Sequence, residues 1–299
     1  MSRPQVVFFG TGPVAAESLK LLTEWADIEA VITKPKPAHH KGSFPVLEIA
    51  EELKLTVLEV TDKKSLHELI QTNPVKSRLG ILIDFGIIVS QDVIDYFADG
   101  IINSHFSILP EWRGADPISF SILSGQDMTG VSIMRVTAGL DEGPLLGYGE
   151  QPLDGSETTP VLTERLIDLS DALLKNQIPL YITDDLVVAP QSSTGRAASY
   201  SRKLSKADST LDFSKPADQL ANEVRAFIEW PKSRAAIGGK DVVITTAHVI
   251  PGTGTAGDIW QEAKQFGFYT SHGIFVIDTL KPAGKGDMSA AAFLSGYKI

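Results

Sequence analysis

Asn103 and His105 stand two residues apart at the end of an apolar run, Ile101-Ile102, in the stretch IINSHFSILPEWRGADPI. On an extended strand that spacing puts both side chains on one face. An amide and a protonated imidazole so placed can each donate a hydrogen bond to a carbonyl oxygen as it gains negative charge. The same histidine could instead cap a loop, and spacing alone leaves both roles open. Asp141 stands in a glycine-bracketed Gly-Leu-Asp-Glu-Gly segment after a second apolar run, GVSIM. A carboxylate there reaches outward from a tight bend, and beside an imidazole it favours the protonated ring and can relay a proton. As a bare aspartate in a turn it would serve its own loop through an Asx-type hydrogen bond.

The totals narrow the chemistry. The 299-residue chain has no cysteine, which excludes disulfides, thiolate metal sites and cysteine nucleophiles and leaves catalysis to oxygen and nitrogen groups. The six histidines show no ligand spacing on a helix, so no metal is expected. A net charge of −10 argues against indiscriminate nucleic-acid binding, because phosphates repel an acidic surface. Residues 196–240 nevertheless carry nine Lys/Arg against five Asp/Glu, enough for one face to meet a polyanion. No apolar run reaches the about 18 residues of a membrane span, and MSRPQVVFFG runs straight into a strand. A cytoplasmic protein without a membrane partner is expected.

The elements that must hold these residues follow from periodicity. VVFFG at 6–10, the second strand at 29–33, a strand at 56–60 and the apolar 79–85 alternate with amphipathic helices, the pattern of a Rossmann-like α/β domain with a parallel sheet covered on both faces. A long helix from about Thr158, with Leu162, Leu166, Leu169 and Leu173 on one side, is expected to pack back on that sheet. Gly10-Thr11-Gly12-Pro13-Val14-Ala15 fits the loose G-x-G-x-x-A turn, but the second strand runs into Thr33-Lys34 without the acidic residue that would hold a ribose. A glycine turn that lets the first helix pack closely is the favoured account, and no nicotinamide cofactor is expected. Residues 190–201 (PQSSTGRAASYS) carry no periodic pattern and read as a linker. Short β-rich runs beyond it, broken by Gly and Pro, point to a small β-barrel. The domain limits read from this are 1–190, a linker at 191–205, and 206–299.

Taken together, N-x-H, S-I-L-P, W-R-G-A-x-P-I, G-V-S-I-M and G-L-D-x-G resemble the folate-dependent formyltransferases over nearly the whole chain. The resemblance implies that Asn103 and His105 stabilise an oxyanion while Asp141 keeps His105 protonated and moves a proton. It implies 10-formyltetrahydrofolate as co-substrate, in a pocket walled by Phe85, Gly86, Ile87, Ile88, Ser107, Ile108, Leu109, Pro110, Gly139 and Leu140. Acceptor contacts would fall at Gly10, Thr11, Lys34, Lys36, Lys41, Trp112, Arg113 and Gly114. The stretches KLSKADSTLDFSKPADQL, RAFIEWPKS and LKPAGKGDMSA resemble the second domain, an OB-like β-barrel, of those members that formylate initiator methionyl-tRNA. That RNA is therefore the expected partner of a monomeric enzyme. The alternatives are a formyltransferase acting on a nucleotide-linked amino sugar and a folate- or tRNA-binding relative without turnover. Departures from the family pattern are Asp84-Phe85-Gly86 for Ala-Tyr-Gly, Glu111 at a commonly basic position, Asp116 for alanine, and the arginine-free loop KPKPAHHKGSFPV.

Overall fold

Five short parallel strands form the middle and one side of the sheet that carries Asn103 and His105. The structure, a computed structural model, describes residues 3–37 and 42–299. In chain order they are β1 (Gln5–Phe9), α1 (Pro13–Trp25), β2 (Asp27–Thr33), α2 (Pro45–Glu52), β3 (Val57–Glu59), α3 (Lys63–Thr72), β4 (Leu79–Leu82), α4 (Gln91–Tyr96) and β5 (Ile101–His105). Then come β6 (Arg113–Gly114), α5 (Pro117–Ser124), β7 (Met128–Arg135), β8 (Leu145–Pro152), α6 (Thr159–Ile182) and β9 (Tyr200–Ser201). The local causes are ordinary: Pro13 opens α1, where its missing N–H costs nothing, and Asp62 and Ser65 close a reciprocal cap on α3.

The strand order is β3-β2-β1-β4-β5-β7-β8. β1 to β5 pair in parallel, as the strand–helix alternation implies, but β7 runs antiparallel to β5, with His105 opposite Ser132. A parallel return needs a crossover that carries the chain back to the start of β5. The only helix between the two strands is α5, with 8 residues, about 12 Å long, and β7 enters from the end where β5 stopped. The chain order reverses between β1 and β4, so the crevice for ligands is expected at the carboxyl ends of these strands and their neighbour β5.

The side chain between the two site residues points the other way. Ser104 Oγ lies 2.6 Å from Ser170 Oγ on α6, so alternation along β5 sends Ser104 to the helix and Asn103 and His105 to the opposite face. α6 lies close on β8, because a Cβ at Gly149 would collide with Leu169 and Leu173. Phe9 and Phe85 meet edge to face at 5.5 Å beneath the ends of β1 and β4.

By compactness the chain divides into two units, residues 1–114, 129–151 and 163–200, and residues 115–128, 152–162 and 201–299. The second contains α7 (Ala217–Ala226), β10 (Ser233–Ile237), β11 (Lys240–Ile250), β12 (Ile259–Glu262), β13 (Gln265–Tyr269), β14 (Ile274–Pro282), β15 (Met288–Ser289) and α8 (Ala290–Gly296). Its strands form an antiparallel sheet in the order β10-β11-β14-β13-β12, with β15 beside β14. Leu220, Ile237, Phe266, Phe275, Leu280 and Phe293 fill its core. In the same unit α5 packs on α7, and the Asp116 carboxylate accepts the Leu204 N–H at 2.8 Å. Asp116 has φ 57°, a conformation that aspartate tolerates better than alanine. Among the described residues no helix is long and apolar enough to cross a membrane.

One surface position is locally strained. Lys232, exposed in the turn before β10, has φ 72°. A left-handed residue with a Cβ costs roughly 1–2 kcal/mol, and glycine returns about 0.4–1 kcal/mol of that as unfolded-chain entropy. Lys232→Gly is therefore expected to raise unfolding free energy by about 0.5–1 kcal/mol, measured by urea denaturation. A loss of stability would show that the lysine side chain has a compensating contact.

Candidate active site

β5 ends in the site. All five of its residues are buried, and Asn103 is paired with Leu82 on β4 and Met134 on β7. The Asn103 side chain makes no hydrogen bond to any described residue, although the residue is only 8% exposed. A buried amide left in that state in the free protein has capacity for a ligand oxygen. His105 is fixed at both nitrogens. Nε2 lies 2.9 Å from the Trp112 carbonyl oxygen, which can only accept, so this nitrogen carries hydrogen. Nδ1 faces Asp141 Oδ2 at 3.8 Å, too long for a direct hydrogen bond but within reach of the carboxylate charge.

Asp141 is held in place by its own bend and by β6. Its carboxylate accepts the Gly114 N–H at 2.8 Å, which converts an Asx-type possibility into a link across the site. Asp141 has φ 50°, and Gly143 two residues on cannot carry a Cβ without striking the Arg135 carbonyl. Asp84 (φ 46°) and Trp112 (φ 55°) are left-handed as well. Three such residues around one strand end are the kind of stored backbone strain that collects at functional sites.

The other expected site residues divide clearly. Ile88 (76% exposed) and Leu140 (63% exposed) present apolar side chains to solvent, and Ile87 and Gly139 are half-buried beside them in sequence. These are surfaces that a ring could cover. Phe85 is buried in the aromatic core, and Gly86 is exposed with φ 64°. Ser107, Ile108, Leu109 and Pro110 are all buried. The Ser107 hydroxyl donates to Glu111 O, and Ser132 Oγ accepts from Leu109 N while donating to Ser107 O. The turn is therefore packed and internally hydrogen-bonded beside the site.

The residues expected to meet the acceptor are partly engaged within the chain. Gly10 is buried with its N–H on Ile32 O. Thr11 donates its N–H to Asp84 O at 3.0 Å and its hydroxyl to Asp84 O and Phe85 O. Gly10 is thus tied to β2 and Thr11 to the segment that follows β4, which engages the main-chain donors of both. Lys34 donates to Gly86 O at 3.0 Å, while Lys36 is exposed and Lys41 lies outside the described residues. Arg113 pairs with Glu142 at 3.2 Å, with Trp112 and Gly114 half-buried on either side.

Sequence reasoning missed the segment after α6. Residues 190–201 are tied to the site: Trp112 N donates to Ser199 Oγ at 2.9 Å and Arg113 N to Ser199 O at 3.0 Å. Arg196 pairs with Glu111 at 3.0 Å and reaches Glu150 at 3.5 Å, so the unusual acid at 111 has a counter-ion in the chain itself. Gln191, buried, reaches Arg113 and the Asp141 bend. A polar segment without periodicity gave no signal for any of these.

Comparison with known proteins now becomes specific. The formyl transferase family model matches residues 5–178, and the model of the formyl transferase C-terminal domain matches residues 203–298. The chain is 33% identical over 307 aligned residues to the methionyl-tRNA formyltransferase of Myxococcus xanthus (strain DK1622), covering 100% of this chain and 97% of that protein. Among solved structures, the sugar 3N-formyl transferase WlaRD, crystallised with dTDP and 5-N-formyl-THF, superposes with a TM-score of 0.70 at 18% identity over 96% of this chain and 100% of that one. The N-formyltransferase of Helicobacter canadensis, in complex with folinic acid and dTDP-3-aminofucose, gives 0.68 at 18% identity over 93% and 98%. The structural likeness fixes the fold, and the sequence matches fix the kinship: this chain belongs to the formyl transferase family.

Proposed function

We propose that this chain transfers the formyl group of 10-formyltetrahydrofolate to the α-amino group of methionyl initiator tRNA. The observation that carries the chemistry is the grouping of Asn103, His105 and Asp141 at the end of β5, with one free buried amide and an imidazole facing acceptors on both sides. Bound folate supplies the formyl carbon. In the transfer the bond from that carbon to N10 breaks, a bond to the incoming amine forms, and one proton passes from amine to N10. Asn103 donates its amide hydrogen to the formyl oxygen as it gains charge. His105, anchored at Nε2 by Trp112, offers Nδ1–H to the same oxygen. Asp141 keeps that hydrogen in place and takes and returns the migrating proton. Exposed Ile88 and Leu140 are apolar cover for the folate ring, supported from below by the Ser107–Pro110 turn.

The acceptor assignment leans on kinship: the full-length relative at 33% identity carries the tRNA name, whereas the sugar enzymes, at 18% identity, share the fold alone. We take residues 1–190 as the catalytic part and 206–299 as the part that holds RNA. Since every group in the site comes from one chain, a cytoplasmic monomer suffices. One observation favours an amino-sugar nucleotide instead: the loop after β2 has no arginine, and Lys34 is engaged by Gly86. Salt separates the two. If tRNA is the acceptor, its KM rises steeply between about 50 and 200 mM salt, because Lys and Arg contacts to phosphate release counterions. A flat KM over that range would remove the RNA from this reading.

A further inference from the structure

We infer that Gln191 is a positioning residue for formyl transfer, a bridge that sets where the Asp141 carboxylate stands relative to His105; this rests on the functional reading above. Gln191 opens the short 3-10 helix Gln191–Thr194 and is 6% exposed. Its amide nitrogen donates to Asp141 O at 2.6 Å and Gly143 O at 2.9 Å. Its amide oxygen accepts from Arg113 Nη2 at 2.7 Å and Nε at 3.2 Å. Both N–H groups and both acceptor positions of the side chain are thus used.

The two carbonyls it holds bracket the bend at Asp141, the left-handed residue whose carboxylate does the work. On the other side Arg113 also grips Glu142, and Gly114 N–H, next along the chain, holds the Asp141 carboxylate. The result is a closed ring: Arg113 to Gln191, Gln191 to the main chain of the bend, and the bend back to Arg113 through Glu142. Without Gln191 the side-chain links left to the bend are the Gly114 N–H on the Asp141 carboxylate and the Arg113–Glu142 pair, neither of which holds its main chain, and two largely buried carbonyls lose their donor. Displacement of a reacting group by about 1 Å costs on the order of 100-fold in rate, so a residue that never touches substrate can govern turnover.

The test uses two variants of the full chain. Gln191→Leu removes both halves of the bridge. Gln191→Glu keeps an acceptor for Arg113 but puts oxygen against the two carbonyls, so it breaks the Asp141 side alone and retains the shape needed to fold. Both are expected to lower kcat by on the order of 100-fold, with KM for 10-formyltetrahydrofolate unchanged. In an Asp141→Asn background, Gln191→Leu is expected to add almost nothing, since both changes act through one carboxylate. Full kcat in Gln191→Glu, a rise in folate KM that accounts for the loss, or additive effects in the double variant would each overturn the inference while leaving the wild-type reading intact. A wild-type protein that formylates no amine would sink the reading and this inference with it.

Discussion

Replacing Asp141 with asparagine is expected to lower the rate of formyl transfer by about 10²- to 10⁴-fold, the range general acid–base groups contribute. The carboxylate faces His105 Nδ1 at 3.8 Å and accepts the Gly114 N–H at 2.8 Å. Asparagine preserves size and can still accept from Gly114 through its amide oxygen, so the bend should survive. What it loses is the carboxylate charge beside Nδ1 and, in the proposed mechanism, the group that holds the proton in transit. Folate binding, which the proposed function assigns to surfaces such as Ile88 and Leu140, should change little. Single-turnover kinetics and folate titration of the same sample separate the two effects. Undiminished turnover would remove Asp141 from the chemistry.

Asn103→Ala should be nearly as damaging, with kcat down by about 10²- to 10³-fold, or roughly 3–4 kcal/mol of transition-state stabilisation. The contrast with stability makes this prediction sharp. The Asn103 amide has no hydrogen-bond partner among the described residues, so its removal breaks no hydrogen bond to any of them. Thermal stability should therefore move little while the rate collapses. Asn103→Asp should be worse than alanine for rate, because it sets a negative charge against the oxygen that gains charge. A large loss of stability in Asn103→Ala, together with an unchanged rate, would place the residue in the core and outside the mechanism.

The parts of this molecule that could be read from the chain are those governed by local pattern. Strands β1, β2, β4 and β5 are apolar runs closed by turn residues, and the helices between them are amphipathic or capped. Asn103 and His105 could be placed on one face because strand alternation is a rule of two residues. β10, with the sequence SRAAI, escaped notice because serine, arginine and alanine carry little strand preference and its place comes from pairing with β11. α8 is a short alanine-rich helix held by the packing of Phe293.

Long-range hydrogen bonding was the illegible part. Thr11 reads as a free hydroxyl in a glycine turn, yet its partners are 73 and 74 residues away. Lys34 reads as a basic loop residue, yet its ammonium is held by Gly86 O. Glu111 looked like a misplaced charge on the rim until Arg196, 85 residues on, supplied the counter-ion. The same limit hid Gln191 in a segment whose composition resembles a tether. No periodicity records that its amide fits between Arg113 and the Asp141 bend.

The most direct test of the central claim offers the purified chain 10-formyltetrahydrofolate with methionyl initiator tRNA, and in parallel with a dTDP-linked amino sugar, and follows the labelled formyl group. The account predicts label on the methionyl amine, lost in Asn103→Ala, and none above background on the sugar. Label on the sugar alone, or transfer to the tRNA that persists in Asn103→Ala, would contradict it.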